Sequence, residues 1–337
     1  MAKRQSPQVS YRKNSCKGKL FEFILRKWIE QAGFNLNPDI PQMTKSSSKK
    51  RLHGRGGTYD PDFIAEFPMT IPFSYPFLLI GEAKNYSTSV QIKQVREFLG
   101  AFIDISQYSR INTKSRSLTK YSQIFNEKRY NYIPVFYSVS GFAKNAQALM
   151  WAHGIYFISY ENSVIMEKIK KKMNFVLNQI DYKELKNEDV FNLKELNDFD
   201  NLPNYATREN YLLNLDKLKR ILEPINSYFG LLDNTWPIHF ITKGKHKLKP
   251  IMKIKECSFV VNEDQITLKR TLHPKSQNWG FFSLPKYFLA EYKKVSKKKN
   301  KKILSELLLF IKEKDKIFPQ YIKLNPRDKD ETTNTNK

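Results

Sequence analysis

The sequence predicts an α/β protein: an α/β domain over residues 17–165, a helical segment over 166–234, a basic α+β domain over 235–325 and a disordered tail over 326–337. Three observations predict this arrangement. Helix-periodic and strand-periodic segments alternate up to about residue 160. Helical spacing alone follows, in "SVIMEKIKKKMNFVLNQI" and "NYLLNLDKLKRILEPINSYFGLL", where Pro224 marks a break. Strand-like runs with tight turns then begin at "WPIHFITKG". A chain of 337 residues is too long for one typical core and suits two.

Composition narrows the partners. Hydrophobic residues make up 40% of the chain, with 24 Phe and 18 Tyr, ample for packed cores. The 58 Lys and Arg outnumber 33 Asp and Glu, a net charge of +25 that favours a polyanion such as nucleic acid. The excess is uneven: 23 basic against 10 acidic residues over 1–160, 11 against 13 over 161–240, and 17 against 4 over 241–302. Two basic bodies joined by a near-neutral segment are expected. No apolar run approaches the ~18 residues of a membrane span, and "MAKRQSPQVSYRKNS" has no signal-peptide core, so the expected setting is cytoplasmic with no membrane partner. Cys16 and Cys257 lack CxxC spacing and the five histidines form no HxxxH pair, which excludes the usual zinc motifs.

The segment "KLFEFILRKWIEQAGF" reads as an amphipathic helix ended by Gly33, with Phe21, Ile24, Leu25, Trp28 and Ala32 as its apolar stripe. Glu22 borders that stripe and, read alone, is an ordinary helix flank. "KSSSKKRLHGRGG" reads as a mobile basic loop that brings His53 and Arg55 to a substrate phosphate. In "DFIAEF" the period of two puts Asp62, Ile64 and Glu66 on one face. "FLLIGEAK" reads as a buried central strand with Leu78, Ile80, Glu82 and Lys84 on one face. Gln91 and Gln94 open the next helix, "QIKQVREFLGAF", close enough to touch the site or a nucleic-acid backbone. The stretch "SQYSRINTKSRSLTKYSQIFNEKRYN" interleaves Arg110, Lys114 and Arg116 with tyrosines, a pattern suited to phosphate contacts and base stacking. Ser140 ends the strand of "VFYSVSGFAKNA" near the same sheet edge.

Hydrolysing a phosphodiester at neutral pH needs hard cations held by oxygen ligands and a positioned, activated water. Carboxylates from two adjacent strands, Asp62 and Glu82, can share one Mg²⁺, for which Mn²⁺ would substitute. Lys84, on the face of Glu82, can orient the water or stabilise charge in the transition state. A lone E-x-K means little. P-D, about twenty residues, then an apolar strand ending in E-A-K, all preceded by a helix bearing Glu22, means more.

That P-D…E-A-K arrangement resembles the PD-(D/E)XK nuclease superfamily, and its surroundings over residues 17–160 resemble the Mrr-type restriction endonuclease branch. The matching stretches are "LFEFILRKWIEQAGF", "GRGGTYDPD", the helix after E-A-K, and "YIPVFYSVSGFAKNAQALMWAHGIYFIS". The resemblance implies a restriction-endonuclease-like mixed central sheet flanked by helices. It makes Asp62 and Glu82 metal ligands, Lys84 the catalytic lysine, and Glu22 an auxiliary catalytic acid and metal ligand acting through water. Thr58, Tyr59 and Asp60 depart from the usual Gly- and Asp-rich turn. Asp62 is chosen over Asp60 because it keeps the register of the following strand. The function implied is a Mg²⁺-dependent endonuclease acting on double-stranded DNA, a restriction enzyme that dimerises at least on DNA and can have a cognate methyltransferase encoded nearby. The alternatives are a repair or recombination nuclease of the same fold, a non-cutting DNA-binding protein on a nuclease scaffold, or an RNA nuclease.

In the C-terminal body, "WPIHFITKGKHKLKPIMKIKECSFVVNEDQITLKRTLHP" reads as three or four strands, "FFSLPKYFLAEYKK" as a strand end and helix, and "KILSELLLFIKEKDK" as a closing helix. Trp236, Trp279, Phe281, Phe282 and Tyr287 are placed either as core or as a pocket for a flipped base. "KKVSKKKNKK" reads as a DNA-steering run.

Overall fold

Helix α1 spans Pro7–Gln31, and Gly33 ends it in the left-handed region at φ 103°, where a side chain would be strained. In this computed structural model, residues 7–40, 42–44, 51–67, 69, 72–108, 129–161, 163–202, 208–233, 235–243, 248, 256–261, 265–269, 278–284, 294, 304–314 and 316–326 are described. The predicted stripe of α1 is buried throughout, and Leu20, Phe23 and Ile29 are buried as well. The extra burial arises because α1 is covered on two sides, by a sheet and by later helices.

That sheet has the order β4-β5-β6-β7. Strand β4 (Phe63–Glu66) is antiparallel to β5 (Phe77–Lys84), and β5, β6 (Asn131–Ser138) and β7 (Tyr156–Ser159) run parallel. A small sheet of β1 (Met43–Thr44), β2 (Arg51–His53) and β3 (Thr58–Tyr59) precedes it. Side chains alternate between two cores, as period two requires. Phe63, Ala65, Ala83, Val135 and Tyr137 point into the core with α1. Ile64, Leu78, Ile80 and Phe136 point into a second core with α2 (Ile92–Ser106) and α3 (Lys144–Ala152). The architecture is mixed α/β, with helices on both faces of this sheet. Gly81 faces Phe63 across the β4–β5 ladder, and a Cβ there would collide with the Phe63 ring.

The segment expected to link two bodies instead completes the first. Helices α4 (Val164–Leu177), α5 (Asn187–Asn192) and α6 (Arg208–Leu222) follow β7. Ile165, Ile169, Met173, Tyr211, Leu215 and Leu218 share one core with α1. A solvated linker would have no reason to bury these residues.

Helical character stops at Leu222, and Ile225–Leu232, read as part of a helix, is strand β8. Pro224 is where the change occurs. Strands β8, β9 (Trp236–Lys243), β10 (Glu256–Val261), β11 (Gln265–Lys269), β12 (Asn278–Ser283), β13 (Glu306–Glu313) and β14 (Lys316–Pro326) close into a barrel of order β10-β11-β12-β9-β8-β13-β14. The seam is the parallel pair β10–β14. The expected closing helix is therefore β13. Its run "ELLLFIKE" fits either period. Burial of Leu307, Leu309 and Ile311 inside the barrel and pairing with β8 and β14 decide for strand. The other expected helix, after Leu284, lies outside the described residues, as do most of the lysine run at 293–302 and the tail beyond 326.

The barrel is seated on the first domain. Trp236 stacks on Trp151 at 4.7 Å, and Phe67 meets Phe310 edge-on. Trp236 thus belongs to this junction rather than to a flipped-base pocket. At its centre lies His239, buried between Tyr160 and Ser227, whose hydroxyls sit 2.7 and 2.6 Å from its two ring nitrogens.

Candidate active site

The β4–β5 ladder assembles the site. Asp62 immediately precedes β4, and its Oδ2 accepts the Ala83 N–H at 2.7 Å. This bond pins the carboxylate to the C-terminal half of β5, where Glu82 and Lys84 share a face. The Lys84 ammonium donates to Glu82 Oε1 and lies 3.9 Å from Asp62 Oδ2. The three side chains are about one-fifth exposed: 19% for Asp62 and 22% for Glu82 and Lys84. From α1, Glu22 is near enough to act on the group electrostatically. The Asn85 amide holds the end of β5 to α1 by donating to the Lys17 carbonyl at 3.3 Å.

The charges are crowded. Burial pushes the Asp62 carboxyl well above its ordinary value, and the nearby carboxylates of Glu82 and Glu22 push it further. Burial also raises Glu22, against the pull of Lys19 and Lys84. For Lys84, burial works against the charge. The carboxylates of Glu82 and Asp62 outweigh it and hold the amine above its ordinary value. Lys84 is thus a firm cation, suited to donating hydrogen bonds and not to accepting a proton. Among the described residues, no three His, Cys, Asp or Glu side chains form a group able to hold a metal together. The direct oxygen donors here are Asp62 and Glu82. The mutual repulsion around Asp62 is what a hard divalent cation would relieve, so the donor set fits one.

Beside these residues a cleft of about 270 Å³ runs between α2 and the sheet. Glu82, Lys84 and Asp60 form one side, and Tyr59, Tyr86, Gln94, Glu97, Phe98 and Phe102 contribute the rest of its character. Gln94 is among the residues that line this cleft. Gln91 is not: its side chain donates to Ser89 O at 2.9 Å, while its N–H donates to Gln94 Oε1 at 3.2 Å, a helix-end role. Glu97 is the residue that sequence reasoning missed. Its signal was available, since Gln94, Glu97, Phe98, Ala101 and Phe102 follow helical spacing on one face of α2.

The Gly-rich turn is ordered by an acid that the sequence did not single out. Asp104 on α2 accepts the Gly56 N–H at 2.9 and 3.0 Å and the Gly57 N–H at 3.1 Å. These bonds, with one from the Tyr59 hydroxyl, hold its carboxyl below the usual range. The expected mobile loop is thus clasped to α2 at residues 54–57. His53 stacks on Tyr108 and meets Thr58 Oγ1 at 3.3 Å, and Arg55 is exposed. Neither lines the cleft. Ser140 donates to Thr88 O at 2.6 Å and opens on a different cleft, of about 390 Å³, with Ser87, Ser89 and Lys170. Arg110, Lys114 and Arg116 lie outside the described residues.

No family model matches the chain, and no curated protein matches it. Among solved structures, the crystal structure of a protein of unknown function is similar with a TM-score of 0.33 and 10% identity, over 61% of this chain and 98% of the other. Among the described residues no helix is long and apolar enough to cross a membrane.

Proposed function

We propose that this chain is a Mg²⁺-dependent DNA endonuclease and serves as a restriction enzyme. One observation carries the reading: two largely buried carboxylates at the β4–β5 ladder, Asp62 and Glu82, meet a charged lysine on the face of Glu82. An ion pair with a purely structural role would match one acid to Lys84. Here Glu82 and Glu22 both push Asp62 toward protonation, an arrangement costly to keep without a cation to share. Asp62 and Glu82 would hold the Mg²⁺, which supplies charge neutralisation at the phosphate and a more acidic water. Lys84 would hold that water by hydrogen bonding and offset negative charge growing on the phosphate. The net charge of +25 supports a polyanionic substrate. Cutting both strands of DNA takes two such sites, so the reading includes a dimer on DNA.

Purified protein with Mg²⁺ is expected to convert supercoiled plasmid to nicked or linear forms, and EDTA is expected to stop it. Running methylated and unmethylated plasmid side by side reports any dependence on base modification. Absence of conversion of both plasmids, with Mg²⁺ and with Mn²⁺, overturns the reading. Glu22→Gln is expected to raise the Mg²⁺ concentration needed for half-maximal cleavage by about tenfold, the usual size of an effect exerted on a ligand from behind. An unchanged metal titration returns Glu22 to the role of a helix flank.

A further inference from the structure

We infer that the cleft beside Glu82 and Lys84 receives one unstacked nucleobase of the strand being cut, with a preference for a base that bears an exocyclic amino group. The inference rests on the nuclease reading for the source of the base, although the recognition it describes can be measured without cleavage.

At about 270 Å³ the cleft falls just below the ~300–1,000 Å³ of ordinary small-molecule sites, which suits a single planar ring system. Tyr59 from β3, Tyr86 just beyond β5 and Phe102 from α2 line the cleft with aromatic rings, on which bases stack regardless of sequence, and the buried Phe98 closes it on the core side. Tyr86 is 40% exposed, so its ring is accessible from solvent. Asp60, Glu82 and Glu97 line the cleft, while Lys84 is the one cation among its described lining residues. Glu97, which neither holds the metal nor pairs with Lys84 in the nuclease reading, can accept hydrogen bonds from an amino group, as Glu does from cytosine N4. The Gln94 amide adds a donor for a ring nitrogen or carbonyl, which completes a pattern complementary to cytosine or adenine.

Because Glu82 and Lys84 belong to the same lining, a base inside keeps its own phosphodiester beside the acids. A base in a regular duplex cannot enter, so the substrate must be locally unpaired or have the nucleotide extruded. The aromatics of the C-terminal half, by contrast, include Trp236, which is already stacked on Trp151.

The test uses the full chain as Asp62→Asn, which should not cut and leaves the cleft lining intact. Binding of a single-stranded deoxycytidine decamer is compared with that of an abasic decamer of equal length, by anisotropy across a salt series. The deoxycytidine strand is expected to bind about tenfold more tightly, the scale of one base–aromatic stack. Adding Tyr86→Ala is expected to bring the ratio near one without changing the salt slope, because no phosphate contact is lost. Glu97→Gln, an exposed and conservative change, is expected to reduce the preference for deoxycytidine over thymidine decamers. Equal binding of base-containing and abasic strands, or a ratio unaffected by Tyr86→Ala in a protein of unaltered circular dichroism, overturns the inference. If plasmid is cut but the ratio is one, the pocket falls and the nuclease reading stands. If plasmid is never cut but the ratio persists, the reverse holds.

Discussion

Lys84→Ala and Asp62→Asn are each expected to lower plasmid cleavage at least about a thousandfold, the scale of losing a metal ligand or a charge that acts in the transition state. Their stabilities should move in opposite directions. Asp62 is a buried carboxyl crowded by Glu82 and Glu22, so its neutral amide removes repulsion while still accepting the Ala83 N–H. Without metal, Asp62→Asn should melt no lower than wild type, the pattern of a functional group kept at a cost to stability. Lys84→Ala leaves the same acids without their ammonium, so it should melt lower in EDTA and recover when Mg²⁺ is added. If both residues serve the one proposed reaction, the double variant loses little beyond either single change. Cleavage at the wild-type rate by Lys84→Ala would remove the lysine from the reaction. A lowered melting point for Asp62→Asn would show that its carboxylate is structural.

The second large effect concerns the junction of barrel and first domain. Burial pushes the His239 imidazole down to about 3, from an ordinary value near 6.5. The ring is therefore neutral in the fold, and both hydroxyls beside it can donate or accept to match. Above about pH 6.5 the ring is neutral both folded and unfolded, and its stabilising contacts count in full. Between about 6.5 and 3 the unfolded chain binds a proton that the folded chain refuses, so stability falls as pH falls. The loss from this residue is about 1.4 kcal/mol per pH unit within that window. Asp62 and Glu22 have the opposite sign, since their raised carboxyls take up protons in the fold first. Comparing wild type with His239→Gln in denaturant titrations from pH 7 to pH 4.5 isolates the histidine. The advantage of wild type should shrink with each unit of acidification, and parallel curves would mean that the ring is not held neutral by its burial.

Much of the first domain was legible because its signals are local. The stripe of α1, the period-two face of β4 and the apolar run of β5 are statements about neighbours in sequence. The spacing within E-A-K put Glu82 and Lys84 on one face for the same reason. Which acid faces them was a matter of register: Asp62 comes opposite because Phe63 pairs with Gly81. Misreadings arose where local pattern is ambiguous. "ELLLFIKE" carries leucines that suit either period, and only its ladders with β8 and β14 make it a strand. The helices from 164 to 222 read correctly as helices but not as part of the first core, since amphipathicity does not name the surface that an apolar face will cover.

By itself, then, the sequence determined the second half of α1, strands β4 and β5, helix α2, the helices between 164 and 222, the pairing of Glu82 with Lys84 on one strand face, and a charge of +25, because period and composition are properties of the chain alone. The first turns of α1 and the small sheet β1–β3, in and around the stretch read as a mobile loop, were not legible. Tertiary structure decided what depends on distant partners: the clasp of Asp104 on the glycine turn 48 residues earlier, the aromatic cleft that α2 makes with the sheet, the closure of β10 on β14, and the neutrality of His239. Each of these is an effect of burial or of a long-range hydrogen bond, and neither exists until the chain has folded.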